Sequence, residues 1–172
     1  MKFPVIILII TIVLHMHGIT QLKGQTLLIE TTCRNTSNYK LCISTLHASP
    51  SSSTADVAGL GLIMVEAVRV KAEEAFSTVD RLKKLYPDLT HVLDKCGNAY
   101  NAVLKADVAE AVAGLTKGVP KFAEFGMADA AWEAEICEGS YEGEVVESPM
   151  TRVNKDLHEL AEIAVGIIRN LL

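Results

Sequence analysis

The sequence predicts an all-α protein: an up-down-up-down four-helix bundle preceded by a short N-terminal helical hairpin and held by two disulfides. Three observations point there. Apolar residues recur at alternating spacings of three and four along four long segments, no segment sustains the period-two alternation of a strand, and all four cysteines lie behind an apolar leader. A length of 172 residues suits one domain with a substantial core.

The leader opens Met1-Lys2-Phe3-Pro4 and continues as an apolar run from Val5 to Leu14. A single lysine before about ten apolar residues is the pattern of a signal peptide, and the run falls short of the ~20 residues that span a bilayer. Cleavage is expected after Gly24, so residues 1–24 are signal peptide and 25–172 the mature domain, with His15 and His17 removed. Residues 25–48 then form the hairpin, broken around Asn35 to Asn38, and the run Ala48-Ser49-Pro50-Ser51-Ser52-Ser53 leads into a bundle over residues 54–172.

The first bundle helix carries the stripe Gly61, Val65, Val68, Ala72, Ala75, Val79, Leu82 and Tyr86, with Ser53 or Thr54 as its N-cap and Pro87 as its stop. The second runs through Leu89, Val92, Cys96, Ala99 and Val103 and continues to about Thr116. The third carries Ala123, Met127, Ala130, Ala134, Cys137 and Tyr141. The fourth carries Met150, Val153, Leu157, Leu160, Ala164, Ile167 and Leu171, with Ser148-Pro149 as N-cap and first helical position. Short connections between such helices favour antiparallel neighbours.

Cys33 and Cys42 are close enough in sequence to close the hairpin on itself, while Cys96 and Cys137 fall on the inward stripes of the second and third bundle helices. Counted from the turn between those helices at ~1.5 Å per residue, their heights differ by about 6 Å, which helix tilt absorbs. The pairing Cys33–Cys42 with Cys96–Cys137 therefore needs no rearrangement. An even cysteine count behind a signal peptide belongs to an oxidising compartment. Asn35-Thr36-Ser37 is an N-glycosylation sequon inside the smaller loop.

Loss of Lys2 and Lys23 leaves 14 basic against 21 acidic residues, a balance that argues against nucleic acid and against anionic membranes. No catalytic constellation emerges. The cysteines are committed, no C-x-x-C pair suggests zinc, and no nucleotide-binding fingerprint is present, so no metal or cofactor is expected. A di-iron bundle needs two Glu-x-x-His repeats, and the chain offers only Asp88 to His91 at a helix start, where Asp serves the helix dipole. His158 and Glu162 read as an exposed pair, and Asp129, Glu133, Glu135 and Glu138 as a solvated face.

One turn stands out. Thr116-Lys117-Gly118-Val119-Pro120-Lys121-Phe122-Ala123-Glu124-Phe125 joins the second and third bundle helices, with Gly118 suited to ending one and Pro120 to starting the next. Lys121 and Phe122 follow at the tip, and the segment holds two of the mature chain's three phenylalanines. A rigid tip bearing a cation beside an aromatic suits an acidic, carbohydrate-binding pocket, and preorganisation lowers the entropy lost on docking.

Together these features resemble the plant invertase inhibitor and pectin methylesterase inhibitor family. The likeness rests on Ile29-Glu30-Thr31-Thr32-Cys33 with Tyr39-Lys40-Leu41-Cys42, on Ala55-Asp56-Val57-Ala58-Gly59-Leu60, and on Asp107-Val108-Ala109-Glu110-Ala111. Glu135-Ile136-Cys137-Glu138-Gly139, with Cys96, completes it. It implies the hairpin-plus-bundle fold and the same cysteine pairing, in a non-enzymatic protein of the secretory pathway bound for the apoplast, the cell wall or the vacuole. Pro120-Lys121-Phe122 resembles the mark of the invertase-inhibiting branch, which implies an acid invertase (β-fructofuranosidase) as protein partner. Lys121 would then lie against its catalytic carboxylates in the sucrose site, and a retaining glycosidase offers two of these about 5 Å apart. The alternative within the family is inhibition of pectin methylesterase through helix faces.

Overall fold

The computed structural model describes residues 23–172. Apart from Lys23 and Gly24, the expected signal peptide lies outside the described residues, as do His15 and His17. All regular structure among the described residues is helical.

Helix α1 (residues 23–33) and α2 (Tyr39–Ala48) form the hairpin, locked by Cys33–Cys42 with Cα atoms 5.7 Å apart. Asn38 caps α2 by accepting from the Leu41 amide at 3.0 Å, and its Nδ2 donates to Glu159 Oε1 at 2.8 Å, tying the hairpin to the bundle. Gln25 Nε2 reaches the carbonyls of Ser52 and Ala55 at 2.6 and 3.0 Å, fixing the hairpin's other end.

The bundle consists of α3 (Val57–Leu85), a rod formed by α4 (Thr90–Ala102) and α5 (Val108–Thr116), α6 (Pro120–Gly139) and α7 (Thr151–Ile168). Each packs on its two neighbours around a square, α3 against α7 and the α4–α5 rod, α6 against the rod and α7. The predicted stripes are the core: Val68, Ala72, Val92, Cys96, Met127, Ala130, Leu157 and Ala164 are fully buried. Tyr86, by contrast, lies 49% exposed, beyond the end of α3. Cys96–Cys137 joins α4 to α6 with Cα atoms 4.4 Å apart. Beside it the buried Tyr100 hydroxyl bonds to Asn154 Oδ1, and Asn154 Nδ2 donates to Glu138 Oε2 at 2.7 Å. Tyr100, Asn154 and Glu138 thereby partner one another, as burial requires, while the neighbouring buried Tyr141 hydroxyl has no hydrogen-bond partner.

Several local expectations are corrected. The N-cap of α3 is Asp56, which accepts from the Gly59 amide at 2.8 Å, while Ser53 and Thr54 lie in a preceding 3₁₀ turn. A carboxylate at this position also meets the positive end of the helix dipole. Helix α7 starts at Thr151, and Ser148 Oγ accepts from the Met150 amide at 3.1 Å in the turn before it. His158 faces α6, with Nδ1 3.3 Å from Ala131 O and 3.4 Å from Glu135 Oε1, away from the expected Glu162. Glu138 is no solvated charge either: Oε1 accepts from Thr151 Oγ1 at 2.6 Å and Oε2 from Ser148 Oγ at 3.1 Å.

The rod between α4 and α5 contains one π turn, Val103–Asp107. From Val103 one row of buried positions advances by four, through Asp107 and Ala111 to Leu115, with Val108 and Gly114 buried beside it. In an α-helix such steps rotate the stripe away from the core by about 40° each, and a π turn, with its i→i+5 bonds, takes up the excess residue. The turn buries Asp107 to 7% exposure and leaves its Oδ2 without a hydrogen-bond partner. Burial, and then the facing Glu133, Asp129 and Glu110, push the Asp107 carboxyl up to about 6.

A raised carboxyl keeps its proton in the native state over a range where the unfolded chain has lost it. Stability attributable to Asp107 therefore falls as pH rises from about 4 towards 6, and the penalty is complete above that. Asp107→Asn is expected to stabilise the protein by about 1–2 kcal/mol at pH 7.5 and by almost nothing at pH 3.5, allowing for solvent screening. Urea melts at the two pH values check this, and an equal gain at both would refute it.

Candidate functional site

The turn singled out in the sequence closes one end of the bundle. Helix α5 ends in a Schellman motif: the Val119 amide donates to Gly114 O at 2.8 Å, the Gly118 amide to Leu115 O at 3.4 Å, and Gly118 takes φ +70°. Pro120 is the first residue of α6, its fixed φ already helical. Only Lys117, Gly118 and Val119 separate the two helices. The helices also touch closely, since a Cβ on Gly114 would lie 2.6 Å from the Ala123 amide nitrogen. The tip is therefore held from both sides by backbone hydrogen bonds and packing.

Pro120, Lys121 and Phe122 share the first turn of α6. Phe122 is 52% and Phe125 48% exposed, so neither caps the core, and both offer aromatic surface to a partner. Lys121 is not a free solvated charge. Its Nζ donates to Glu124 Oε2 at 2.5 Å and stands 4.8 Å from the centroid of the Phe125 ring. The other oxygen of Glu124, Oε1, accepts from Arg169 Nε at 2.8 Å. Hydrogen bonds from Lys121 and then Arg169 hold the Glu124 carboxyl below its usual range.

Sequence reasoning did not find Glu124 and Arg169 as parts of this site. Glu124 had a signal, three residues after Lys121 on one helix face. Arg169 had none, because the α7 terminus meets the α6 start only through the bundle's antiparallel order. Asn35 lies exposed in the hairpin loop at this same end, its Nδ2 3.4 Å from Asn170 Oδ1.

The arrangement presents Lys121 and two aromatic rings on a rigid knob, with Arg169 beside them on the far oxygen of Glu124. It suits insertion into a pocket that is acidic and walled by flat surfaces, where a cation is desolvated and paired. Among the described residues no group of histidine, cysteine and carboxylate side chains is placed to hold a metal ion. No helix among them is long and apolar enough to cross a membrane.

Residues 27–167 match the profile of a family described as Plant invertase/pectin methylesterase inhibitor. The chain is similar to Cell wall / vacuolar inhibitor of fructosidase 1 of Arabidopsis thaliana, 37% identical over 140 residues that cover 81% of this chain and 67% of that one. It is similar to Pectinesterase inhibitor of Actinidia deliciosa at 25% identity, over 99% of this chain and 92% of that one. In fold it resembles the crystal structure of mutant form A of a pectin methylesterase inhibitor from Arabidopsis. The TM-score there is 0.69, at 18% identity, over 82% of this chain and 95% of that one.

Proposed function

Because the chain belongs to the plant invertase/pectin methylesterase inhibitor family, we propose that it inhibits a plant acid invertase by seating the Pro120-Lys121-Phe122 turn in the sucrose site. The observation that carries this reading is Lys121, 55% exposed, beside the exposed rings of Phe122 and Phe125 at a tip stiffened by Gly118 and Pro120. The Arabidopsis relative named as an inhibitor of fructosidase supports the choice of partner.

The chemistry is that of a competitive plug. The two carboxylates of a retaining glycosidase stabilise an oxocarbenium-like transition state. An ammonium placed between them meets the same negative field, and in a water-poor cleft that attraction is much stronger than in bulk solvent. Phe122 then occupies the flat wall where a sugar ring would stack. The inhibitor needs no chemistry of its own. It follows the secretory route after cleavage behind Gly24 and reaches the cell wall or the vacuole, with the Asn35 sequon inside a loop that closure of Cys33–Cys42 could shield from glycosylation. Resistance to acidic surroundings is aided by Asp107, whose contribution improves as pH falls.

A paired assay tests the reading. The purified mature protein is expected to inhibit an acid invertase in competition with sucrose and to leave a plant pectin methylesterase essentially untouched. Strong inhibition of the esterase beside a fully active invertase would reverse the assignment and reduce the turn to helix-end packing.

A further inference from the structure

Resting on the reading that Lys121 enters a carboxylate-lined cleft, we infer that Glu124 and Arg169 are positioning residues for that lysine. Glu124 holds it ready along α6, and Arg169 is the counter-ion that allows Glu124 to let it go.

The Glu124 side chain is 9% exposed, and its two carboxylate oxygens are divided between two cations. Oε2 takes Lys121 at 2.5 Å and Oε1 takes Arg169 at 2.8 Å, so the cations do not compete for one atom. Pairing of Lys121 with a target's carboxylates must give up the Oε2 contact. At that moment the turn lies in a cleft and water has limited access to replace the lysine. A carboxylate left there with no counter-ion is strongly unfavourable, whereas one still bonded to a guanidinium is not.

Arg169 is well placed for this duty because it does not depend on the turn. It follows the last residue of α7, where Asn170 Nδ2 caps the carbonyls of Gly166 and Ile167 at 3.0 and 3.1 Å. Gly166 itself is held against the hairpin, a Cβ there lying 3.0 Å from Thr36 Cα. The backbone that carries Arg169 is therefore anchored independently of the turn, and the side chain, 63% exposed, is held by its own bond to Glu124 Oε1 when Lys121 moves. Until then Glu124 and the Phe125 ring keep the lysine in one place, which reduces the rotamer entropy lost on docking. Removing Arg169 makes Lys121 the sole counter-ion of Glu124, and the internal pair then competes with the target.

Inhibition constants against an acid invertase, at one ionic strength, test this with Arg169→Gln, Arg169→Lys, Glu124→Gln and the Glu124→Gln/Arg169→Gln double variant. Arg169→Gln is expected to weaken inhibition about tenfold or more. Arg169→Lys, which keeps the charge, should stay within about threefold of wild type. The double variant should also return to within about threefold, because a neutral amide needs no counter-ion. Thermal midpoints, read in parallel, should place every variant fully folded at the assay temperature.

A double variant as weak as Arg169→Gln would mean that Arg169 touches the target itself, and would overturn the inference while leaving the insertion of Lys121 intact. Wild-type potency of Arg169→Gln would overturn it as well. Wild-type potency of Lys121→Ala would strike the underlying reading, and the inference with it.

Discussion

Gly126→Ala is expected to destabilise the protein by about 3 kcal/mol, an effect at the upper end of those for one added methyl. A Cβ at Gly126 would lie 2.4 Å from the Asp107 carbonyl oxygen and 3.2 Å from the Ala111 amide nitrogen. Both atoms are backbone, so no side chain can swing aside, and α6 must move off the π turn or the turn must unwind. Either response opens the packing of the buried Met127 and of Ala123 and Ala130, whose small side chains let α6 approach the rod closely. Gly97→Ala is the matched control. Its Cβ would meet Val79 Cγ1 at an ordinary 3.7 Å. The gain in helix propensity there should leave stability unchanged or raise it by up to about 1 kcal/mol. Urea denaturation of both variants at constant slope reads the difference. A Gly126→Ala protein as stable as wild type would contradict the close crossing of α6 over the π turn.

That crossing marks the boundary of what the sequence makes legible. The four stripes, the broken hairpin and both disulfides follow from spacings alone, because a helix repeats every 3.6 residues and burial selects one face. The turn was equally readable. Gly118 and Pro120 carry backbone requirements that few other residues meet, and the Schellman motif and helix start are the geometry those requirements describe.

The π turn left no mark in the apolar periodicity, because the position it brings to the buried side is a carboxylate, Asp107. Where the reading went astray, tertiary contact overrode a local rule. Ser53, Thr54 and Asp56 are all competent N-caps, and the 3₁₀ turn at Pro50–Thr54 decides in favour of Asp56. His158 and Glu162 share a helix face, yet α6 brings Glu135 and the Ala131 carbonyl to the imidazole. The partners of Lys121 belong to the same class. Glu124 is a local neighbour, but Arg169 arrives from 45 residues beyond Glu124.

Those partners sharpen what removing the lysine should do. Lys121→Ala is expected to weaken inhibition of an acid invertase by roughly thirtyfold to several thousandfold. That is the equivalent of the ~2 to 5 kcal/mol typical of truncating one member of a desolvated charge pair. The loss should appear in the inhibition constant measured against sucrose, with competition retained. Lys121→Glu should be worse, since it sets a like charge against the target's carboxylates and against Glu124. Stability should barely respond to Lys121→Ala, because the lysine side chain is 55% exposed and Glu124 keeps its bond to Arg169. The change expected in a thermal melt corresponds to under about 1 kcal/mol.

Lys117→Ala removes the same charge from the exposed end of α5, four residues from Lys121 in sequence and outside the first turn of α6. It should lower affinity by no more than about 1 kcal/mol, the scale of a rim charge. Equal losses from Lys117→Ala and Lys121→Ala would mean that any positive charge near the tip suffices. Inhibition would then rest on long-range attraction between an acidic cleft and a basic tip, and insertion of this one lysine would be excluded.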